Sequence, residues 1–340
     1  MASTEAISTS PGPDDAASNQ RRALTEDAAI VDRSEIGRLA ISGADTIDLL
    51  DRLSTNDLRG LTVGRGIGTV LTTNKGRVID LLTVVQLDGR LLALTGPGNQ
   101  SKVAEWMDFY TFTEDVSVMD ITPDTAMISV VGPKSGDIVE AVFGLDVRGW
   151  QRFDGAPCPT VDGCTIVRTD FAGVLAFDVI VHHSAESEVR DRLESNGVLS
   201  ANAEALELLR IENMAPAFGA ELTENHNPLE AGLLEYISFN KGCYIGQEVV
   251  ARLNAYDKVQ RHLVSLTWSG DATLPSGSTL SADGQSVGVV TSSSSDDASR
   301  SHVALALVRR SHSDTGTALA ADVDGGAIEV VVARSSEDRD

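Results

Sequence analysis

A chain of 340 residues with 42% apolar side chains has room for two domains at about 150 residues each, and general disorder is excluded. No stretch nears the roughly 18 apolar residues of a membrane span, and the opening MASTEAISTSPGPDD lacks the basic patch and apolar run of a secretory signal; a cytoplasmic protein is expected. Fifty acidic against 27 basic residues give a formal charge of −23, which repels nucleic-acid phosphates and excludes a DNA- or RNA-coating role. Abundant Asp and Glu with only five lysines read as adaptation to a very salty cytoplasm, where screening weakens self-repulsion; an ordinary acidic protein is the plainer alternative.

Residues 1 to about 22 are mostly small and polar and are expected to form a mobile tail. From there the pattern predicts a strand at RLAISG and an amphipathic helix in GADTIDLLDRLSTNDL, with Ile47, Leu50 and Leu53 or Leu58 inward. Three strands follow (about 67–73, 78–86 and 90–95), with turns at Asn74-Lys75-Gly76 and Asp88-Gly89. Next come a helix around 101–110, a strand at 126–131, and a helix 133–143 with Pro133 as its first residue. Strands near 164–169 and 174–181 lead to helices 185–195 and 202–212. This order predicts an α+β fold of antiparallel sheets with helices on one face, occupying residues 23–258. Beyond Arg261 the segments LVSLTW, STLSA, SVGVVTS, HVALALV and AIEVVVA predict a small β-barrel over 259–335. The serine run 292–295 with Asp296 and Asp297 reads as a solvated loop between two of its strands.

Few residues carry recognisable chemistry. Gly64-Arg65-Gly66-Ile67-Gly68 leads into a strand, so it reads as a turn and not as a phosphate loop. Cys158 and Cys164 lack zinc spacing and read as a loop cysteine and a small apolar residue at a strand start. No metal site and no disulfide framework is expected from three cysteines and six scattered histidines. The informative stretch is 210–254. There Gly242 and Gly246 bracket Cys243, Tyr244 and Ile245 ahead of a helix opening at Gln247 and Glu248, with Val249, Val250 and Leu253 inward. A thiol before a helix N-terminus and two residues from Lys241 can be activated as thiolate; a small buried thiol in a tight corner is the other reading.

The run N-K-G-C-Y-I-G-Q-E over 240–248 resembles the signature of YgfZ-type folate-binding proteins. These are relatives of the glycine-cleavage T-protein, an aminomethyltransferase, and include factors that help mature iron–sulfur proteins. GRLAISGADTIDLLDRLSTNDL, GRVIDLLTV, ISVVGPKS, ALELLRIENMAPAFGAEL with NPLEAGL, and the final barrel strands look like further parts of the family. The resemblance implies a discontinuous folate-binding body with a C-terminal barrel around a channel that holds tetrahydrofolate. It implies that Glu212, in the L-R-x-E segment, accepts hydrogen bonds from the pterin edge, with pairing to Arg210 as the other reading. Lys241 and Arg252 become candidates for the ligand's carboxylate tail, while Tyr244 and Gln247 would shape the channel mouth around Cys243. The T-protein's Asp pair is reduced here to Asp80 alone, which could act in catalysis or cap a turn. The expected function is therefore a folate-binding accessory protein of iron–sulfur metabolism, with iron–sulfur proteins as clients; the alternative is an aminomethyltransferase or another folate-dependent one-carbon transferase.

Overall fold

The computed structural model describes residues 13–270, 272–296, 301–324 and 326–338. In chain order the body contains α1 (Pro13–Glu26), β1 (Ala29–Asp32), β2 (Ile36–Ser42), α2 (Thr46–Leu53), β3 (Gly66–Thr72), β4 (Val78–Leu87), β5 (Arg90–Pro97), α3 (Gln100–Phe109) and β6 (Ser117–Asp120). It continues with β7 (Thr125–Val131), α4 (Ser135–Phe143), β8 (Gly155–Pro157), β9 (Thr165–Arg168), β10 (Ala176–His182), α5 (His183–Ser195), β11 (Leu199–Ser200), α6 (Ala203–Glu212) and α7 (Gln247–Ala255). The barrel comprises β12 (Arg261–Thr267), β13 (Thr279–Ala282), β14 (Gln285–Asp296), β15 (Ser301–Arg309), β16 (Ala318–Val323) and β17 (Gly326–Ser335).

Two sheets build the body. One has the order β3-β4-β5-β2-β6 and the other β11-β1-β7-β10-β9-β8, so the chain enters the second sheet with β1, builds the first, and returns. Alternation explains the layering. Leu39, Ile41, Leu82 and Val84 turn outward to Leu49, Leu50, Val103 and Met107 of α2 and α3. Phe177, Val179 and Val181 turn outward to Val139, Phe143, Val189 and Leu193 of α4 and α5. The opposite faces meet through Ile36, Val85, Leu87, Leu92 and Leu94 from one sheet and Met127, Val167 and Ile180 from the other. The molecule is thus a helix–sheet–sheet–helix stack plus a closed six-stranded barrel ordered β12-β15-β14-β13-β16-β17, which is the α+β body and barrel that the pattern predicts.

Several local expectations need correction. Residues 13–22 are helical, not a tail: α1 buries Ala23 and Leu24 against Val31, Val131 and Leu209. The rest of the expected tail, residues 1–12, lies outside the described residues. Pro133 precedes the helix, which starts at Ser135. The pattern does not predict five short strands, β1, β6, β8, β11 and β16, whose few residues carry too little periodic signal. Ser292–Asp296 belongs to β14 and is not a loop; Asp297 lies outside the described residues. The reason is buried polar chemistry. Ser292 Oγ donates to Glu221 Oε1 at 2.7 Å and accepts from Arg210 Nη2 at 2.7 Å, and Arg210 Nη1 reaches Glu221 Oε2 at 3.1 Å. This triad ties the end of α6 to the barrel.

Among the described residues no helix is long and apolar enough to cross a membrane. Removing one member of a buried ion pair strands the other charge. Arg210→Met is therefore expected to cost about 3–5 kcal/mol, seen as a lower urea midpoint. Adding Glu221→Leu should recover part of that loss, and a loss below about 1 kcal/mol would show that the triad behaves like a surface pair.

A candidate ligand cavity between the sheets and the barrel

Where the apolar contact between the sheets ends, a cavity of about 520 Å³ opens. It lies within the range of roughly 300–1,000 Å³ typical of small-molecule sites. Asp80, Leu81 and Leu94 line it from one sheet, Met127 and Asp178 from the other, Asn213 and Phe218 from the segment after α6, and Arg334 from the barrel.

Asp80 owes its place to a bulge. Leu71 pairs with Asp80 but Thr72 pairs with Val78, so β4 carries one extra residue there. A bulge re-aims side chains: Ile79, not residue 80, joins Leu82 and Val84 on the helix side, and Asp80 lines the cavity. Three donors hold its carboxylate: the Leu81 N–H at 2.8 Å, the Gly96 N–H at 2.9 and 3.1 Å, and Asn99 Nδ2 at 2.8 Å. Burial nevertheless pushes its pKa from 3.8 up to about 6, against the pull of Asn99, Gly96, Leu81 and Lys102. Asp178 arrives from the facing sheet by simple alternation with Phe177 and Val179. It is buried beside its register partner Ser129, whose hydroxyl donates to Asp178 Oδ1.

Aromatic rings complete the walls. Phe218 and Tyr236 pack closely on the first sheet because positions 96 and 68 are glycine. A Cβ at Gly96 would meet Phe218 Cγ at 2.4 Å, and one at Gly68 would meet the Tyr236 ring at 2.5 Å. Gly68 is thus a strand residue making room for a ring, where the sequence reads as a turn. Arg152 donates to the Tyr236 hydroxyl at 2.5 Å and to Glu235 at 3.0 Å, and burial pushes the Tyr236 hydroxyl up to about 12, so it stays neutral. The Arg33 guanidinium sits over the Phe171 ring at 4.9 Å, and no carboxylate pairs with it among the described residues. Backbone strain gathers here as well. Of the six non-glycine residues with positive φ among the described residues, Phe153, Asp170 and Ala172 line the cavity, and Met214 sits between two residues that do. Such strain concentrates where ligands bind.

Of the residues expected from sequence, Asp80 alone lines this cavity. Glu212 does not: its carboxylate pairs with Arg21 of α1 at 2.7 Å, not with Arg210, and its carbonyl accepts from Arg334. Lys241 cannot serve a ligand carboxylate. Its ammonium donates to the carbonyls of Asp51, Ser54 and Asn56 at 2.6, 3.0 and 2.5 Å, and lies 3.0 Å from Asp51 Oδ1. These are carbonyls at and beyond the end of α2, where a buried cation caps the helix. Tyr244 is buried with Lys241 Nζ 5.6 Å above its ring. The Ile245 N–H donates to the Arg52 carbonyl at 3.0 Å. Gly246 has φ +85°, and a Cβ there would meet the Thr73 carbonyl at 2.6 Å. Gln247 Nε2 donates to the Gly242 carbonyl at 3.3 Å, and Arg252 is exposed on α7. Val249 is exposed too, not inward; Val250 fills the buried position. Cys243 is exposed, on a loop docked to α2 and the β3–β4 turn, apart from Glu212 at the α1–α6–barrel junction. The two do not share a hollow.

Asp178, Phe218, Arg152 and Arg33 carry no motif, because each stands alone in the sequence. Only sheet pairing and the chain's return crossing bring them together. Among the described residues no group of three or more His, Cys, Asp or Glu side chains is placed to hold a metal ion.

A carboxyl group whose folded pKa exceeds its unfolded value stabilises fully below the unfolded pKa and loses that contribution as pH rises through the folded one. Asp80→Asn lacks this loss. Relative to the parent it should gain up to about 3 kcal/mol between pH 4 and 7. Urea midpoints of the two proteins across that range test it, and a constant offset would show that Asp80 ionises like an exposed carboxylate.

Comparison with known proteins agrees with the architecture. Residues 10–241 match the GCVT N-terminal domain, and residues 261–336 match the glycine cleavage T-protein C-terminal barrel domain. A chloroplastic Arabidopsis thaliana protein named as a transferase is 31% identical over 311 residues, 88% of this chain and 70% of its own length. The aminomethyltransferase of Symbiobacterium thermophilum is 29% identical over 328 residues, 92% of this chain and 87% of its own. The crystal structure of glycine cleavage system aminomethyltransferase T from Bartonella henselae has the same fold, with a TM-score of 0.85 over 94% of this chain and 88% of that one at 18% identity. With both halves matched, the chain belongs to the glycine-cleavage T-protein family.

Proposed function

We propose that the cavity binds tetrahydrofolate or a one-carbon derivative of it. The observation that carries this reading is the convergence of two buried carboxylates, Asp80 and Asp178, from facing sheets onto one aromatic-walled space. A pterin is a flat ring system whose edge presents a ring N–H beside an exocyclic amine. A carboxylate accepts both at once, and a neighbouring ring face covers the plane. Asp178 suits the acceptor role, since its one hydrogen bond from Ser129 leaves acceptor capacity on the other oxygen. Arg33, without a carboxylate partner among the described residues, suits the ligand's glutamate end. When bound, the folate supplies the nitrogen atoms that carry a one-carbon unit.

The function this geometry supports best is that of a folate-binding accessory protein. Asp80 is already held by three protein donors, which favours a wall of the binding site over a group free to swing toward a reacting atom. We further propose that the signature over 240–248 places the chain in the YgfZ-type branch, with iron–sulfur proteins as its clients. Cys158 and Cys164 are buried whereas Cys243 is exposed, on a loop fixed by Lys241 and Gly246, so the signature thiol is the one presented to a partner. A second reading, aminomethyl transfer, draws on Asp80: with its pKa near 6, it holds or releases a proton close to neutrality.

Titration with tetrahydrofolate in concentrated salt should show saturable binding by the parent. Asp178→Asn should weaken it at least about tenfold and Arg33→Ala severalfold; no saturable binding by the parent would end the reading. Turnover of an aminomethyl donor that is lost in Asp80→Asn would favour transfer. Unchanged activity of iron–sulfur enzymes in cells carrying Cys243→Ala would remove the thiol role.

A further inference from the structure

We propose that Cys158 and Cys164 form a redox-active dithiol whose oxidation closes a disulfide across the β8–β9 hairpin. The register runs Gly155 opposite Val167, Ala156 opposite Ile166 and Pro157 opposite Thr165, so the next pair in the ladder is Cys158 opposite Cys164. The Cys158 N–H donates to the Cys164 carbonyl at 2.9 Å, which confirms the pairing. Residues directly opposite in an antiparallel pair have Cα atoms about 4.5–5.5 Å apart, inside the range of about 4.4–6.8 Å that a disulfide spans. Both side chains enter the same apolar cluster, against Val161 and Ile166, so they point to the same side of the hairpin. Burial and the adjacent Cys158 thiol push the Cys164 pKa upward, which marks the two sulfurs as neighbours.

Cys158 is the better first nucleophile. It sits at the hairpin end, its sulfur is 3.4 Å from the Thr160 hydroxyl, and Pro159, Thr160, Asp162 and Gly163 of the connecting loop are exposed. With a low-molecular-weight disulfide as oxidant, the Cys158 thiolate attacks one sulfur and expels one thiol. Cys164 then loses its proton to solvent and attacks the Cys158 sulfur, expelling the second. One disulfide is reduced to two thiols, and the protein is oxidised by two electrons. The consequence reaches the cavity. The same hairpin holds the strained residues beside it, through the Phe153 N–H on the Arg168 carbonyl at 2.6 Å and the Arg168 N–H on the Asp154 carbonyl at 2.8 Å. A covalent link at the hairpin tip therefore stiffens one wall of the ligand site.

The full chain treated with oxidised glutathione under native conditions, then measured by intact mass and peptide mapping, tests this. In the expected product the Cys158–Cys164 pair is linked and that pair has lost two hydrogens, and Cys158→Ser and Cys164→Ser each abolish that species. Exposed Cys243 serves as internal control, since it takes up a mixed disulfide or links two chains, and neither product has the mass of an internal Cys158–Cys164 bridge. If Cys243 is fully modified while Cys158 and Cys164 both remain thiols, the proposal is overturned. Amide exchange over 153–155 and 168–173 reads the reach to the cavity: severalfold slowing in the oxidised protein is expected, and unchanged exchange overturns the coupling.

Discussion

Two charged groups cannot be buried against each other's sheets without either donors or space, and this constraint shapes the molecule. Where the facing surfaces carry Ile36, Val85, Leu92, Met127 and Ile180, the sheets close on one another. Where they carry Asp80 and Asp178, closure would desolvate two carboxylates at several kcal/mol each. The fold meets part of that cost with the amides of Leu81, Gly96 and Asn99 and the hydroxyl of Ser129. It leaves the remainder as open volume. The segments that roof this space, 152–154, 168–173 and 213–218, are irregular because they cross between layers instead of extending one. Their positive-φ residues persist because rigid sheets and the barrel fix both ends of each crossing.

The signature segment acts on a different part of the body. Lys241 delivers one ammonium to three carbonyls around the end of α2 and to Asp51, whose carboxylate also accepts from the Leu58 N–H at 2.9 Å and lies 3.8 Å from Arg59 Nε. A buried lysine is tolerated because every donor finds an acceptor and one acceptor is ionised. Gly246 then lets the chain pass tightly over the β3–β4 turn before α7 begins. Lys241, Tyr244 and Gly246 thus serve to pin the helix and the loop of the first sheet, so this segment contributes to the architecture first. The surroundings of the exposed thiol between them do not explain it structurally.

The fold was legible because most elements obey short-range rules. The strands over 66–97 alternate cleanly, Asp88-Gly89 makes the turn between two of them, and Asn202 caps α6 through the Ala205 N–H. The site was legible only at Asp80, and even there the sequence hid its orientation. A strict period of two would place residue 80 with Leu82 and Val84 on the helix side, and only the bulge reverses it. Asp178 obeys its period, but nothing local says that the inner face of its sheet borders a cavity. Glu212 failed for a related reason. Its partner Arg21 lies 191 positions away, in a segment whose composition suggested a tail, and α1 orders because α6 and the second sheet offer it an apolar seat.

Charge makes the proposed ligand site sensitive to salt in an unusual direction. At −23 overall, the protein repels an anionic folate at long range, while Arg33 and Arg334 at the cavity wall attract it at contact. Screening shortens from about 10 Å at 0.1 M to about 3 Å at 1 M salt. That removes most of the many-charge repulsion but leaves contacts at hydrogen-bond distance inside a partly closed cavity less affected. Affinity for tetrahydrofolate should therefore rise severalfold between 0.1 and 1 M potassium chloride, opposite to the usual weakening of anion–arginine binding by salt. Titrations at the two concentrations, repeated with Arg33→Ala, separate the contributions: the variant should bind more weakly at both yet keep the same upward trend. A steep fall in parental affinity would instead mean that a few local cations, and not the summed field of the acidic surface, govern how the ligand is captured.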